Sequence, residues 1–120
     1  MRIRGVEYHD GDEAQPVPSA VARKLGAQLV IAVDVSAYLE RTPPQAPDNW
    51  RVRDSKRTSL IATERHLADV FIHPDLDYYA SISHNYRLKC IARGEAAAKA
   101  ALPQIKAAFQ NLAAGQNSFK

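Results

Sequence analysis

The sequence predicts an α/β protein, and three observations carry that expectation. The run Gln28 to Val35, "QLVIAVDV", is apolar without alternation, the pattern of a strand buried on both faces between helical layers. Ahead of it a short strand and a short helix complete a strand–helix–strand unit within roughly 30 residues, whose crossover is right-handed almost without exception. Near the far end, Ala98, Leu102, Ile105, Phe109 and Leu112 recur in alternating steps of four and three, one apolar stripe on a long helix.

The elements follow in order. Arg2-Ile3-Arg4 and Val6-Glu7-Tyr8 flank Gly5 and predict two short strands of a tight hairpin. Prolines at Pro16 and Pro18, apolar residues at Val17, Val21 and Leu25, and a closing Gly26 predict a helix of about two turns. After the apolar strand, Asp34 caps or orients the next loop. Three prolines between Glu40 and Asn49 mark an exposed loop, and a helix is expected from about Ser55 to Ala68, with Leu60, Ile61, Glu64 and Leu67 at helical spacing. Asp69 to Ile72 reads as a further strand, stopped by Pro74, and the long helix begins near Ile82. Pro103 should kink or restart that helix. The tail, residues 115–120, is expected to fray. This inventory is small for a strand that needs cover on both faces, so open apolar surface and a missing partner are expected.

Totals bound the function. A chain of 120 residues is one domain on size, and 46% hydrophobic with 24% charged residues is the composition of a soluble globular protein. No apolar run approaches the roughly 18 residues of a membrane span, and the first residues lack the apolar core of a signal peptide. Cys90 is the only cysteine, which excludes an internal disulfide and fits a cytoplasmic setting. The one dense basic cluster, Arg51, Arg53, Lys56 and Arg57, is interrupted by Asp54 and reads as a solvated helix start. No aromatic interleaving or motif raises nucleic acid as a partner.

The chemistry-bearing stretch is "VEYHDGDEAQ", Val6 to Gln15. Asp10 would sit just past the end of a strand, Gly11 could take the positive φ of a sharp turn, and Asp12 adds a second carboxylate. Three readings stay open from these residues. Asp10 is a catalytic carboxylate, or His9, Asp10 and Asp12 hold a divalent cation through oxygen ligands, or Asp10 is the acid of an ordinary turn. No serine lies in a Gly-x-Ser-x-Gly elbow, and His9, His66, His73 and His84 lack zinc-ligand spacing. His66 and His73 read as packing or hydrogen-bonding residues, and Cys90 as a small helix-boundary residue. The chain holds a candidate base and no activated nucleophile.

The order of blocks nonetheless resembles a known family. "EYHDGDEAQPVPSAVARKLGAQLVIAVDVS" (Glu7 to Ser36) is similar to the C-terminal portion of bacterial patatin-like phospholipases, which read Y-x-D-G-G, then P-V-P, A-R-x-L-G-A and V-I-A-V-D-V-S. "LADVFIHPDL" (Leu67 to Leu76) and "GEAAAKAALPQI" (Gly94 to Ile105) are similar to the family's last strand and closing helix. The resemblance implies the C-terminal part of a three-layer α/β/α fold over residues 1–114. It implies a serine acyl hydrolase acting on lipid or other esters through a Ser-Asp dyad without a cofactor. In that dyad Asp10 is the base and Gly11 and Asp12 form its turn.

Two departures qualify this. Asp12 stands where the family has glycine or alanine, which adds negative charge beside Asp10. The serine elbow and the oxyanion loop have no counterpart in these residues, so the resemblance implies a portion that is inactive alone and completed by an N-terminal half. The alternative is a non-catalytic domain that dimerises or binds a partner through the surface that half would cover.

Overall fold

The computed structural model describes residues 1–117 of the chain. It is a mixed α/β arrangement in which a two-stranded parallel sheet lies between helices on both faces, preceded by a separate hairpin.

Strands β1 (Arg2–Ile3) and β2 (Val6–Glu7) pair antiparallel, Arg2 opposite Glu7 and Ile3 opposite Val6. Arg4 at φ 48° and Gly5 at φ 81° form the link. Two successive positive φ values are the type I′ turn, whose twist matches that of the flanking strands. Reciprocal bonds between Met1 and Tyr8 extend the ladder by one pair (2.7 and 3.0 Å). This hairpin stays apart from the main sheet. The strand–helix–strand unit expected from its second strand therefore does not form, because β2 finds its partner in β1, four residues away.

Helix α1 (Ser19–Lys24) follows, closed by Gly26 at φ 94°. Strand β3 (Ile31–Val33) then pairs in parallel with β4 (Val70–Ile72), in the register Ile31–Val70, Ala32–Phe71 and Val33–Ile72. The crossover between them is helix α2 (Asp48–Arg65), so the βαβ unit is β3–α2–β4. The helix starts seven residues before the expected Ser55. Its polar first turn has no apolar periodicity to announce it. It is held instead by Arg51, which donates to Pro43 O and Pro44 O (3.0 and 2.6 Å), and by Trp50 beside the rings of Tyr78 and Tyr79. It ends at Arg65 because Leu67 and Ala68 turn back to bond Glu64 O and Arg65 O and deliver the chain to β4.

The alternation of β4 divides the core in two. Phe71 and its neighbour Ala32 face α1 and α2 and pack with Val17, Ile61 and Ala68. Val70 and Ile72 face the other way, onto helix α3 (His84–Asn117). The row in contact there is Ala97, Ala101, Ile105 and Ala108, displaced from the expected stripe, of which only Ile105 is shared. Alanines let the helix axis come close to the strand, and the bulkier Leu102 and Phe109 stay outside, 45% and 54% exposed. Pro103 lies within α3 without ending it, and the helix continues through Asn117, beyond the point where fraying was expected. Residues 118–120 of that expected tail lie outside the described residues.

Strand β3 is not buried on both faces. Ala32 is covered, but Ile31 and Val33 are 38% and 51% exposed on the α3 side, where α3 packs on Val70 and Ile72 of β4. One edge of β3 is also unpaired. Its bonds to β4 include Val30 O and Asp34 N, so strand alternation turns the N–H and C=O groups of Ile31 and Val33 toward the free edge. The radius of gyration, 17.4 Å, exceeds the roughly 14 Å of a compact chain of this length. Open apolar surface was the expectation, and it is what the fold has.

Candidate functional site

The Asp10 turn is built by its own backbone. Asp10 is extended (φ −67°, ψ 131°) and caps the 3-10 turn Gly11–Glu13 by accepting the Asp12 N–H on Oδ1 at 3.0 Å. Oδ2 has no protein partner among the described residues, and the whole segment from His9 to Ala14 is exposed. The positive φ expected at Gly11 is not adopted; only Gly5 and Gly26 have it among the glycines. A Cβ at Gly11 would meet nothing within 4 Å. Neither strain nor crowding therefore requires glycine there. Asp12 forms an ion pair with Arg57 of α2, which offsets the second negative charge and docks the turn on that helix. Among the described residues no group of three or more His, Cys, Asp or Glu side chains is placed to hold a metal ion, so His9, Asp10 and Asp12 are not gathered as ligands.

Beneath this turn, Glu64 anchors the start of α1. It is buried, accepts Ala20 N–H on Oε2 at 2.7 Å and takes Gln15 Nε2 on Oε1 at 3.2 Å. The first four N–H groups of a helix have no intrahelical partner; here that of Ala20 is met by a carboxylate 44 residues away. At the other end of α1, Arg23 donates to Leu67 O, Ala27 O, Gln28 O and Asp69 Oδ2. Asp69 Oδ2 also accepts the Val30 N–H at 2.7 Å, and that bond first, then Arg23, holds its carboxyl below the usual range.

The basic cluster is mostly committed to structure. Arg51 holds the proline loop, Arg57 pairs with Asp12, and Arg53 donates to Asp54 Oδ1 at 2.8 and 3.0 Å. Asp54 is buried and its Oδ2 takes the Tyr78 hydroxyl at 2.7 Å, which raises the phenol's pKa.

The carboxyl end of the parallel sheet, where α/β proteins place ligands, carries a different pair. Asp34 and His73 are the first residues past β3 and β4, and the register sets them side by side on the α2 face. Asp34 is 4% exposed and accepts the Ser36 N–H on Oδ1 at 2.9 Å, the orienting role expected of it. His73 Nε2 is 2.9 Å from Ser36 O and 3.5 Å from Asp34 Oδ2. A carbonyl only accepts, so Nε2 carries a proton and directs it to Ser36 O. The ring of Tyr38 lies against the imidazole with centroids 4.1 Å apart, and its hydroxyl donates to His73 O. A cavity of about 270 Å³ opens here, bounded by Asp34, Tyr38, Ile61, Ala62, Phe71 and His73. His73 is the packing or hydrogen-bonding residue the sequence predicts, but its pairing with Asp34 is not among those expectations. The signal that pairs it with Asp34 is that each is the first polar residue after an apolar strand, "VIAVD" and "VFIH".

A second concavity, of about 200 Å³, runs beside β3 and is bounded by Val17, Ser19, Ala22, Ile31 and Val33. Ser19 is 2% exposed and its Oγ has no partner among the described residues. Cys90 is a free thiol on α3, and its side chain near Tyr86 raises that phenol's pKa. No helix among the described residues is long and apolar enough to cross a membrane. No family model matches the chain, and no solved structure matches it.

Proposed function

We propose that this chain is the C-terminal portion of a patatin-like lipid acyl hydrolase and supplies Asp10 as the base of a Ser-Asp dyad. The observation that carries the reading is the state of the Asp10 turn. One carboxylate oxygen is fixed by the Asp12 N–H and the other is unoccupied, beside a glycine that its own backbone does not need. A dyad base requires that combination. It must be held in orientation, must keep one lone pair for a serine hydroxyl within hydrogen-bond reach, and must leave room for the elbow that brings the serine. The order of the remaining family-like blocks supports the same reading, with "VIAVDV" on β3 and "VFIH" on β4.

In the mechanism that follows, Asp10 accepts the serine proton as the hydroxyl attacks the ester carbonyl. It returns that proton to the departing alcohol, then repeats the cycle with water to release the acid. Asp12 stays paired with Arg57 and keeps the second charge from competing for the proton. The oxyanion donors and the serine come from outside these residues, so the chain alone does not hydrolyse esters.

The test begins with the reading frame ahead of Met1. If it encodes Gly-x-Ser-x-Gly, the joined protein should hydrolyse p-nitrophenyl esters or phospholipid, and Asp10→Asn should reduce kcat by roughly 10²- to 10⁴-fold. A frame without that elbow, or full activity in the Asn variant, overturns the reading.

A second reading, a non-catalytic dimerisation or partner-binding domain, is favoured by the groove at β3. A free strand edge, exposed Ile31 and Val33, and the orphaned Ser19 hydroxyl together suit an added strand. Light scattering decides it. A monomer at every concentration argues against self-association, and a dimer abolished by Val33→Pro, which removes an edge N–H, supports it.

A further inference from the structure

We propose that the cavity at the carboxyl end of β3 and β4 is a binding site for a small primary ammonium ion carrying an apolar group, with Asp34 Oδ2 as its anchor. This does not rest on the hydrolase reading, which uses Asp10 and none of these residues.

The two carboxylate oxygens of Asp34 are unequally satisfied. Its side chain is 5% exposed, and a carboxylate so deeply placed is costly unless donors surround it. Oδ1 has the Ser36 N–H. Oδ2 has only the imidazole edge at 3.5 Å, and that proton is directed to Ser36 O at 2.9 Å. Asp34 lines the cavity, and one oxygen of its buried carboxylate is left without a donor of its own among the described residues.

The walls select what brings the donor. Ile61, Ala62 and Leu39 offer apolar surface, and Tyr38 and Phe71 add aromatic wall suited to the hydrocarbon body of the ligand. Glu40 adds a second carboxylate to the lining, and the one guanidinium there, Arg65, already lies over the Phe71 ring at 4.9 Å. Two carboxylates disfavour an anion. The size fits too, since a cavity of roughly 150 Å³ accommodates a benzene-sized group and this one measures about 270 Å³. An ammonium donates up to three hydrogen bonds, so it can meet Asp34 Oδ2 and still leave donors for Glu40 or water.

The probe is 2-phenylethylammonium, compared at pH 8 with 3-phenylpropan-1-ol and 3-phenylpropanoate, by titration into the ¹⁵N-labelled chain. The expected result is saturable shifts at Ser36 to Glu40 and Phe71 to His73, with Kd on the order of 1 mM for the amine. The alcohol should bind at least about tenfold more weakly, and the carboxylate should leave the spectrum unchanged. Asp34→Asn keeps an acceptor for Ser36 N–H and should lose about tenfold or more in amine affinity. Should that variant fail to fold, Ala62→Leu fills the cavity from α2 without touching Asp34 and should abolish the shifts. Equal binding of amine and alcohol, shifts confined to other parts of the chain, or unchanged affinity in either folded variant overturns the assignment.

Discussion

The buried carboxylate of Glu64, near the end of α2, accepts the backbone N–H of Ala20 at 2.7 Å and so fixes where α1 begins. It also takes Gln15 Nε2, which ties the chain just after the Asp10 turn to the same helix. Glu64→Ala leaves both donors without their acceptor in a part-buried site and should destabilise the fold by about 1–3 kcal/mol in urea unfolding. Glu64→Gln, which still offers an oxygen, should cost less. Equal losses in the two variants would show that packing, not acceptance, is what Glu64 contributes.

Asp69 makes stability depend on acid. Its carboxyl is held below its usual 3.8 by the Val30 N–H and Arg23, so its contribution is present above the unfolded value and is lost as pH falls through the lower folded one. Wild type should therefore weaken below about pH 4, and Asp69→Asn should flatten that part of the profile. An unchanged acid limb in the variant would assign acid sensitivity to other carboxylates.

Tyr78 acts on the alkaline side. Asp54 accepts its hydroxyl, so the phenol ionises above its usual 10.0. A raised folded value gives stability that is complete below the unfolded one and is lost as pH rises through the folded one. Tyr78→Phe should cost about 1 kcal/mol at pH 7. Spectrophotometric titration of the wild type should show two tyrosines ionising late, Tyr78 and Tyr86, and only one of them in the variant.

Asp10 and Gly11 should matter little to the fold. Asn caps as well as Asp, so Asp10→Asn should change unfolding free energy by less than about 0.5 kcal/mol. Gly11→Ala meets no steric obstacle and should be neutral, or stabilising by up to about 1 kcal/mol, through the unfolded chain. Marked destabilisation by either would make the turn a structural element and remove the main support for a catalytic role.

Ser19→Ala separates the isolated chain from an assembled one. Removing an orphaned, buried hydroxyl should leave the monomer as stable or more so, by up to about 1 kcal/mol. If the groove beside β3 takes a strand that uses that oxygen, the same substitution should weaken the assembly.

The sequence made some of this legible and hid the rest for identifiable reasons. The Gly5 turn, the short helix closed by Gly26 and the two apolar strands were readable because local chemistry determines each of them. The start of α2 was not, since Trp50 and Arg51 are held by residues that periodicity does not connect to them. The packed face of α3 was misplaced because alanines carry it, and a search for large apolar residues selects the neighbouring row. At the candidate site, a turn at Asp10 could be read from three consecutive residues, though not its form, since Gly11 does not take the positive φ expected of it. The Asp34–His73 pair depends on the register of two strands distant in the chain, which only the folded pairing supplies.

That distance has a kinetic consequence. The bond from Val30 N to Asp69 spans 39 residues and the ion pair from Arg23 spans 46, and the only parallel pairing in the described sheets closes across that same interval. Such closure is slow relative to helix formation, and its entropy must be overcome before any sheet contact repays it. Substitutions that favour α2 should therefore leave the folding rate nearly unchanged unless they also shorten the search between Val30 and Asp69. A glycine-rich insertion in the loop ahead of Asp48 should slow folding while hardly changing the rate of unfolding.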